Sequence, residues 1–177
     1  IVSPSNEVWH ESNWKDLKVV IEAAIHELNK HRIDEGKSLE RELRLRIKSI
    51  NEQEDHILKL EPQRRKNMKN ELIKLLEENV GKENYDANRL EQELIYYIEK
   101  IDIREEQVRL KNHCEYFLSI IGDNEETKGK KLSFVVQEIG REINTTGSKA
   151  YDSDIQKCVV LMKDELEKIK EQTFNIL

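Results

Sequence analysis

The sequence predicts an all-α fold in which long antiparallel helices form an extended bundle or a helical hairpin with coiled-coil-like packing. Of its 177 residues 37% are charged, and only 2 are Pro and 6 are Gly, too few turn residues for the many connections of an all-β domain. Apolar residues recur three or four positions apart over most of the chain, which is the helical period. Because so much of the surface is charged, we expect part of the apolar surface to meet another chain or a further part of the same protein.

Residues 1–100 are predicted to form a long helical arm. Leu17, Ile21 and Leu28 begin an apolar stripe at helical spacing, and the stripe resumes beyond Gly36. Pro62 fits the first turn of a new helix, where its missing N–H is not needed. The arm is accordingly divided into a linker at 1–11 and helices at about 12–60, 62–80 and 86–100.

Residues 101–177 are predicted to form a C-terminal helical domain. A helix at 131–145 should end in a loop at 144–149, because the Asn-Thr-Thr-Gly-Ser stretch competes with helical backbone bonds. Ser153 to Gln156 has the pattern of a capping box for the last helix. That helix has a strict heptad stripe: Ile155, Val159, Met162, Leu166, Ile169, Thr173 and Ile176.

The charge of the chain is unevenly distributed. Its net charge is −6, yet the segment 127–149 contains five basic and two acidic residues, which makes it the best candidate for phosphate contact. Cys114 and Cys158 belong to no CxxC pair, so we interpret them as reduced core thiols. The absence of a charged-then-apolar leader and of a run of roughly 20 apolar residues predicts a cytoplasmic protein without a membrane partner.

The helix at 131–145 has a polar ridge opposite its apolar face, formed by Gln137, Glu138, Arg141, Glu142 and Thr145. Carboxylates four residues apart share a helix face and can hold one divalent metal, while Arg can stabilise phosphate charge. Amides and hydroxyls of the predicted loop could bind a further phosphate. The alternative is an ordinary solvated helix face with small ion-pair gains.

The tract from Gly129 to Lys149, GKKLSFVVQEIGREINTTGSK, resembles the pattern of the YicC/YloC family, and Asp152 and Ile155 match that pattern as well. The segments 102–113 and 163–175 also resemble the family. The resemblance implies a metal-dependent bacterial endoribonuclease that assembles as a homo-oligomer, expected to be a hexamer, with a further N-terminal domain. Since the chain starts at Ile1 with a linker-like segment, we expect it to be the C-terminal helical portion, with the signature at 129–155.

Candidate roles follow from the ridge and the resemblance together. We predict Glu138, Glu142, His113 and Arg141 as catalytic residues, although His113 could equally be an ordinary histidine on the surface of its helix. The predicted ligands of a Mg or Mn ion are Glu138, Glu142 and Asp152, although Asp152 could instead cap a helix. The predicted RNA contacts are Lys130, Lys131, Gln137, Arg141, Asn144, Thr145, Ser148 and Lys149. No organic cofactor is expected.

Two other functions remain open from the sequence. The chain could be a non-catalytic helical oligomerisation module or RNA clamp, as its heptad helix and long first helix suggest. Alternatively, the basic segment alone would suit an RNA-binding adaptor that does not hydrolyse RNA.

Overall fold

The computed structural model describes residues 11–81, 86–123 and 128–173, and its regular elements in these ranges are all helices, which confirms the all-α prediction. The predicted linker up to residue 10 and Ile176 of the heptad stripe lie outside the described residues. No helix in the described part combines the length and the apolar character needed to cross a membrane. The helices are α1 (Glu11–Val80), α2 (Ala87–Lys100), α3 (Arg104–Gly122), α4 (Gly129–Lys149) and α5 (Ser153–Thr173).

The chain divides into two compact units between Arg41 and Glu42. The first unit contains the N-terminal part of α1, where apolar side chains such as Trp14, Ile21 and Leu28 are exposed. The second unit contains the remainder of α1 together with α2 to α5. The predicted domain division at residue 100 stays a prediction.

The core of the second unit lies among α3, α4, α5 and the C-terminal part of α1, with α4 packed against both α3 and α5. The heptad stripe of α5 is buried from Ile155 to Thr173, as predicted. On α1 the buried positions also alternate in steps of four and three, which is the spacing of a helix packed along its neighbours. They are Leu43, Ile47, Ile50, Glu54, Ile57, Glu61 and Arg64.

The predicted helix break at Pro62 is wrong, because α1 continues through this residue to Val80. Proline removes one backbone hydrogen bond and usually kinks or ends a helix. Here the flanking residues are tied to each other and to the rest of the unit. Arg64 donates to Glu61 from Nε at 2.6 Å and from Nη2 at 3.0 Å, and Nη2 also donates to the Ile101 carbonyl at 2.8 Å. These buried contacts stabilise the helix on both sides of Pro62.

The predicted loop at 144–149 is also wrong, because these residues form the last turns of α4. The small polar side chains bond back into the helix: the Thr145 hydroxyl donates to the Arg141 carbonyl at 3.0 Å and the Ser148 hydroxyl to the Thr145 carbonyl at 2.9 Å. Thr146 is fully buried. The segment therefore offers no backbone nest for a phosphate, contrary to the prediction.

The connection from α4 to α5 is shorter than predicted and spans only residues 150–152. The Gln156 side chain donates to the carbonyls of Gly147 and Ala150, which satisfies acceptors at the end of α4. Asp152 begins α5 by accepting the amides of Asp154 and Ile155 at 2.9 and 3.0 Å. The N-cap is thus Asp152, one residue before the predicted capping box.

Glu54 is a further buried charge-bearing residue on α1, besides Glu61 and Arg64, and it is 5% exposed. Burial raises the pKa of its carboxyl from 4.5 to about 7, an effect that the neighbouring Gln107 only partly offsets. At neutral pH the side chain is therefore poised between its neutral and charged forms.

Replacing Arg64 by Met should lower the free energy of unfolding by about 3–5 kcal/mol, because it leaves the buried Glu61 carboxylate without its main partner. Urea denaturation followed by circular dichroism measures this change. Lys66→Met is the matched control at an exposed position of the same helix and should change stability by less than about 0.5 kcal/mol. Equal stability of the Arg64 variant and the wild type would contradict the structural role.

Replacing Glu54 by Gln should change how stability depends on pH. Since the folded pKa is raised, the folded state binds the proton more tightly than the unfolded state, so stability is lost as pH rises from 4.5 to about 7. The wild type should therefore lose about 3 kcal/mol over this interval relative to Glu54→Gln. Urea titrations at pH 4.5, 6 and 8 measure the difference, and parallel pH profiles of the two proteins would refute it.

Candidate functional site

One imidazole and two carboxylates lie together where α3 packs against α4. Candidate ligand atoms of His113, Glu138 and Glu142 all lie within 4.8 Å of one another. The two glutamates are four residues apart on α4 and therefore share a face. The packing of α3 on α4 brings His113 to that face, so the structure assembles three of the four predicted catalytic residues into one cluster.

Burial within the cluster is unequal. Glu142 is only 4% exposed, whereas the side chain of Glu138 is 48% exposed. Among the described residues, the Glu142 carboxylate has no hydrogen-bond or ion-pair partner. A buried charge is costly unless it is paired or coordinates a metal. Glu142 is therefore a candidate ligand for a cation.

The donor set fits a divalent transition-series cation. Carboxylate oxygens suit Mg²⁺ and Mn²⁺, while an imidazole nitrogen suits transition metals better than Mg²⁺, which prefers oxygen ligands. A set of one imidazole and two carboxylates therefore favours Mn²⁺ over Mg²⁺. Three ligands on two helices also leave coordination positions for water or a phosphate oxygen.

Asp152, the third metal ligand predicted from the sequence, does not belong to this cluster. Its carboxylate caps α5 through the amides of Asp154 and Ile155. This is the alternative role foreseen for it. The structure places His113 with the two glutamates instead.

Arg141, the remaining predicted catalytic residue, borders the cluster on the exposed side of α4. Its guanidinium Nη1 lies 4.0 Å from Glu138 Oε2, and the side chain is 73% exposed. Such a weak surface pair leaves the guanidinium available for a phosphate. The predicted RNA contacts that are also exposed on α4 are Lys130, Lys131, Gln137, Asn144 and Ser148.

Phe134 was missed by the sequence analysis. Its ring is 59% exposed and lies one turn before Glu138 on the same face of α4. The available signal was its phase, because Phe134 falls outside the apolar stripe of Leu132, Val135 and Ile139. Exposed aromatic rings are the groups on which unpaired bases stack.

Lys149 and Thr145 have structural partners. Lys149 Nζ donates to Glu106 Oε1 at 2.8 Å and to the Asp102 carbonyl at 3.0 Å, and its side chain is 30% exposed. The Thr145 hydroxyl is bonded within α4. Neither side chain belongs to the cluster of His113, Glu138 and Glu142.

Comparison with known proteins identifies the family of the chain. Residues 57–177 match the family described as Endoribonuclease YicC-like, C-terminal. The Probable endoribonuclease YicC of Clostridioides difficile (strain 630) is 35% identical over 164 residues, which cover 92% of this chain and 56% of that protein.

A second similar protein is the Probable endoribonuclease YicC of Haemophilus influenzae (strain ATCC 51907 / DSM 11121 / KW20 / Rd). It is 38% identical over 93 residues, which cover 52% of this chain and 32% of that protein. The matches thus span about half of one curated relative and a third of the other. The chain belongs to the YicC-like endoribonuclease family, and its matched residues are those of the family's C-terminal domain.

Proposed function

We propose that the protein hydrolyses RNA phosphodiester bonds as a metal-dependent endoribonuclease, with His113, Glu138 and Glu142 holding the cation. The observation that carries the proposal is their cluster, with ligand atoms within 4.8 Å of one another and the most buried member unpaired. The names of the relatives, which describe probable endoribonucleases, support RNA as the substrate.

Each residue of the cluster has a distinct part in this proposal. Once bound, a divalent cation would supply Lewis-acid polarisation of a phosphate oxygen and a water of lowered pKa. Glu142, which is almost fully buried, would fix the position of the site, while the half-exposed Glu138 can accept a hydrogen bond from a water at the opening. Arg141 offsets the charge that develops on the phosphate.

The exposed face of α4 provides the proposed RNA contact. Lys130, Phe134 and Arg141 follow one another at helical spacing, so a cation, an aromatic ring and a second cation line the approach to the cluster. Single-stranded RNA is bound by such combinations of phosphate contact and base stacking. Lys149 is left out of this surface because its ammonium group is already held by Glu106.

Changing Glu142 to Gln should weaken Mn²⁺ binding at least about tenfold and abolish cleavage, because the amide cannot supply the buried negative charge. Isothermal titration with MnCl₂ measures the binding, and a gel assay with structured RNA measures cleavage, in Mn²⁺, in Mg²⁺ and in EDTA. Glu167→Gln makes the same chemical change at an exposed site on α5 and should alter neither.

The metal readout does not depend on whether the 177 residues suffice for turnover. Loss of Mn²⁺ binding in Glu142→Gln and in His113→Gln, with unchanged melting in EDTA, supports the site. Full Mn²⁺ affinity and full activity in the Glu142 variant would contradict the proposed metal site. Cleavage that is equal in EDTA would overturn the metal requirement.

A second function, assembly, is favoured by the first unit. Its apolar positions follow one another in alternating steps of three and four residues, and most of them are exposed in the single chain. They are Trp14, Leu17, Ile21, Ala24 and Leu28. Such a heptad stripe is typical of a helix that pairs with another helix. We propose that these residues join copies of the chain in a homo-oligomer.

The double change Ile21→Ser and Leu28→Ser should lower the molar mass in solution, because it removes two apolar contacts from the stripe. Light scattering coupled to size exclusion at roughly 5–50 µM, a range that covers modest association constants, measures the mass. The control Val19→Ser lies off the stripe and should preserve the oligomer. A wild-type chain that is monomeric throughout would contradict the proposed assembly.

A further inference from the structure

The solvent-exposed surface where α3 meets α4 continues beyond the metal cluster. His113 of α3 and Glu138 of α4 meet at this surface, with candidate ligand atoms within 4.8 Å of each other. Residues three or four positions apart on a helix share a face. Tyr116, one turn after His113, and Phe134, one turn before Glu138, therefore border the surface that contains the cluster.

Both of these aromatic rings are exposed. Tyr116 is 54% exposed and Phe134 is 59% exposed, whereas Phe117, the other aromatic residue of α3 and α4, is fully buried. Single exposed apolar side chains are common on proteins, but two rings that border one candidate site form a patch that suits a ligand.

The register of α3 on α4 places both rings on the same side of the cluster. Because the helices are antiparallel and His113 lies beside Glu142, a step forward on α3 matches a step back on α4. Tyr116 lies three residues after His113, and Phe134 lies eight residues before Glu142. The two side chains therefore start about 4.5 and 12 Å beyond the cluster along the helix axes. Their separation along the axes, about 7.5 Å, is roughly two base-stacking steps.

Cations lie on this surface beside the cluster. The Arg141 side chain is 73% exposed next to Glu138. On α3, Arg109 lies one turn before His113 with its side chain 55% exposed, paired only with the equally exposed Glu105 among the described residues. Such surface pairs are weak, so both guanidinium groups can exchange their partner for a phosphate. A strand of nucleotides matches this combination, because its phosphates are anionic and its bases have flat apolar faces.

We propose that Tyr116 and Phe134 stack on unpaired bases of the nucleotides next to the phosphate that reaches the cluster. The inference rests on the proposed function, because the strand is the RNA substrate. A base must be splayed out of its own stack before its face can cover an aromatic ring. The two rings therefore select for unpaired nucleotides on one side of the cleaved bond. Since every base has a π-face, this contact tolerates any sequence.

The experiment measures RNA binding by the 177-residue chain in EDTA, so that no cleavage takes part. Fluorescence anisotropy compares a single-stranded RNA oligomer of about ten nucleotides with an abasic ribose-phosphate oligomer of the same length and charge. Tyr116→Leu and Phe134→Leu should each weaken RNA binding at least about fivefold but leave binding of the abasic oligomer nearly unchanged. Tyr116→Phe keeps the ring and should keep the affinity.

The matched control is Tyr96→Leu, the same change at a 55% exposed tyrosine on α2, which should leave RNA binding unchanged. Because the substituted rings are exposed, thermal melting of all variants should match that of the wild type. Equal losses for RNA and for the abasic oligomer would overturn the proposal, as would unchanged RNA affinity in the Tyr116 and Phe134 variants. A wild type that binds both oligomers equally, or neither, would also overturn it.

Two further measurements separate this proposal from its alternatives. Glu142→Gln should keep the preference for RNA over the abasic oligomer, and Tyr116→Leu should keep Mn²⁺ binding, so the metal site and the base contact can fail independently. If the rings instead pair with another copy of the chain, Tyr116→Leu would lower the molar mass in solution and leave RNA affinity unchanged, which would refute base stacking.

Discussion

The buried guanidinium of Arg64 connects three segments that are distant in sequence. It donates to Glu61 within α1, to the Ile101 carbonyl before α3, and at 3.5 Å to the Lys149 carbonyl at the end of α4. A buried cation is tolerated only when such partners surround it. Lys149 in turn holds Asp102 and Glu106, so two basic side chains fix where α4 ends relative to the start of α3.

This connection sets the register of the metal cluster. Glu106 lies seven residues before His113 on α3, and Lys149 lies seven residues after Glu142 on α4. In antiparallel helices, two turns back on one and two turns forward on the other cover the same distance, about 10.5 Å. The ion pair between Lys149 and Glu106 therefore places the His113 imidazole opposite the Glu142 carboxylate, two turns away along both helices. The geometry of the candidate site depends on a contact that takes no part in its chemistry.

Much of the fold could be predicted because helical periodicity is a local property: the stripe from Ile155 to Thr173 is buried as expected. Predictions from the local sequence failed where residues distant along the chain determine the secondary structure. Pro62 predicts a helix start by its chemistry, but Arg64 and its remote carbonyl partners keep the helix continuous. The composition of the 144–149 segment predicts a loop, yet Thr145 and Ser148 bond into the helix and Gln156 caps its end.

The candidate site was partly predictable, since residues four positions apart on a helix, such as Glu138 and Glu142, share a face. The exclusion of Asp152 and the presence of Phe134 beside the cluster required the packing of α3, α4 and α5.

The contrast between satisfied and unsatisfied buried groups argues that some of them are reserved for ligands. Arg46 and Glu106 each leave one buried atom without a partner but are held through their other atoms. The Glu54 carboxylate has only the neighbouring Gln107 to offset its burial, and the carboxylate of Glu142 has no hydrogen-bond or ion-pair partner among the described residues. The fold surrounds the buried Arg64 with acceptors, so it is able to pair a buried charge that has only a structural role. Proteins accept such a loss of stability where a bound group recovers it. The Glu142 carboxylate lies where α3 packs against α4, beside His113 and Glu138, so a cation bound there would recover that loss.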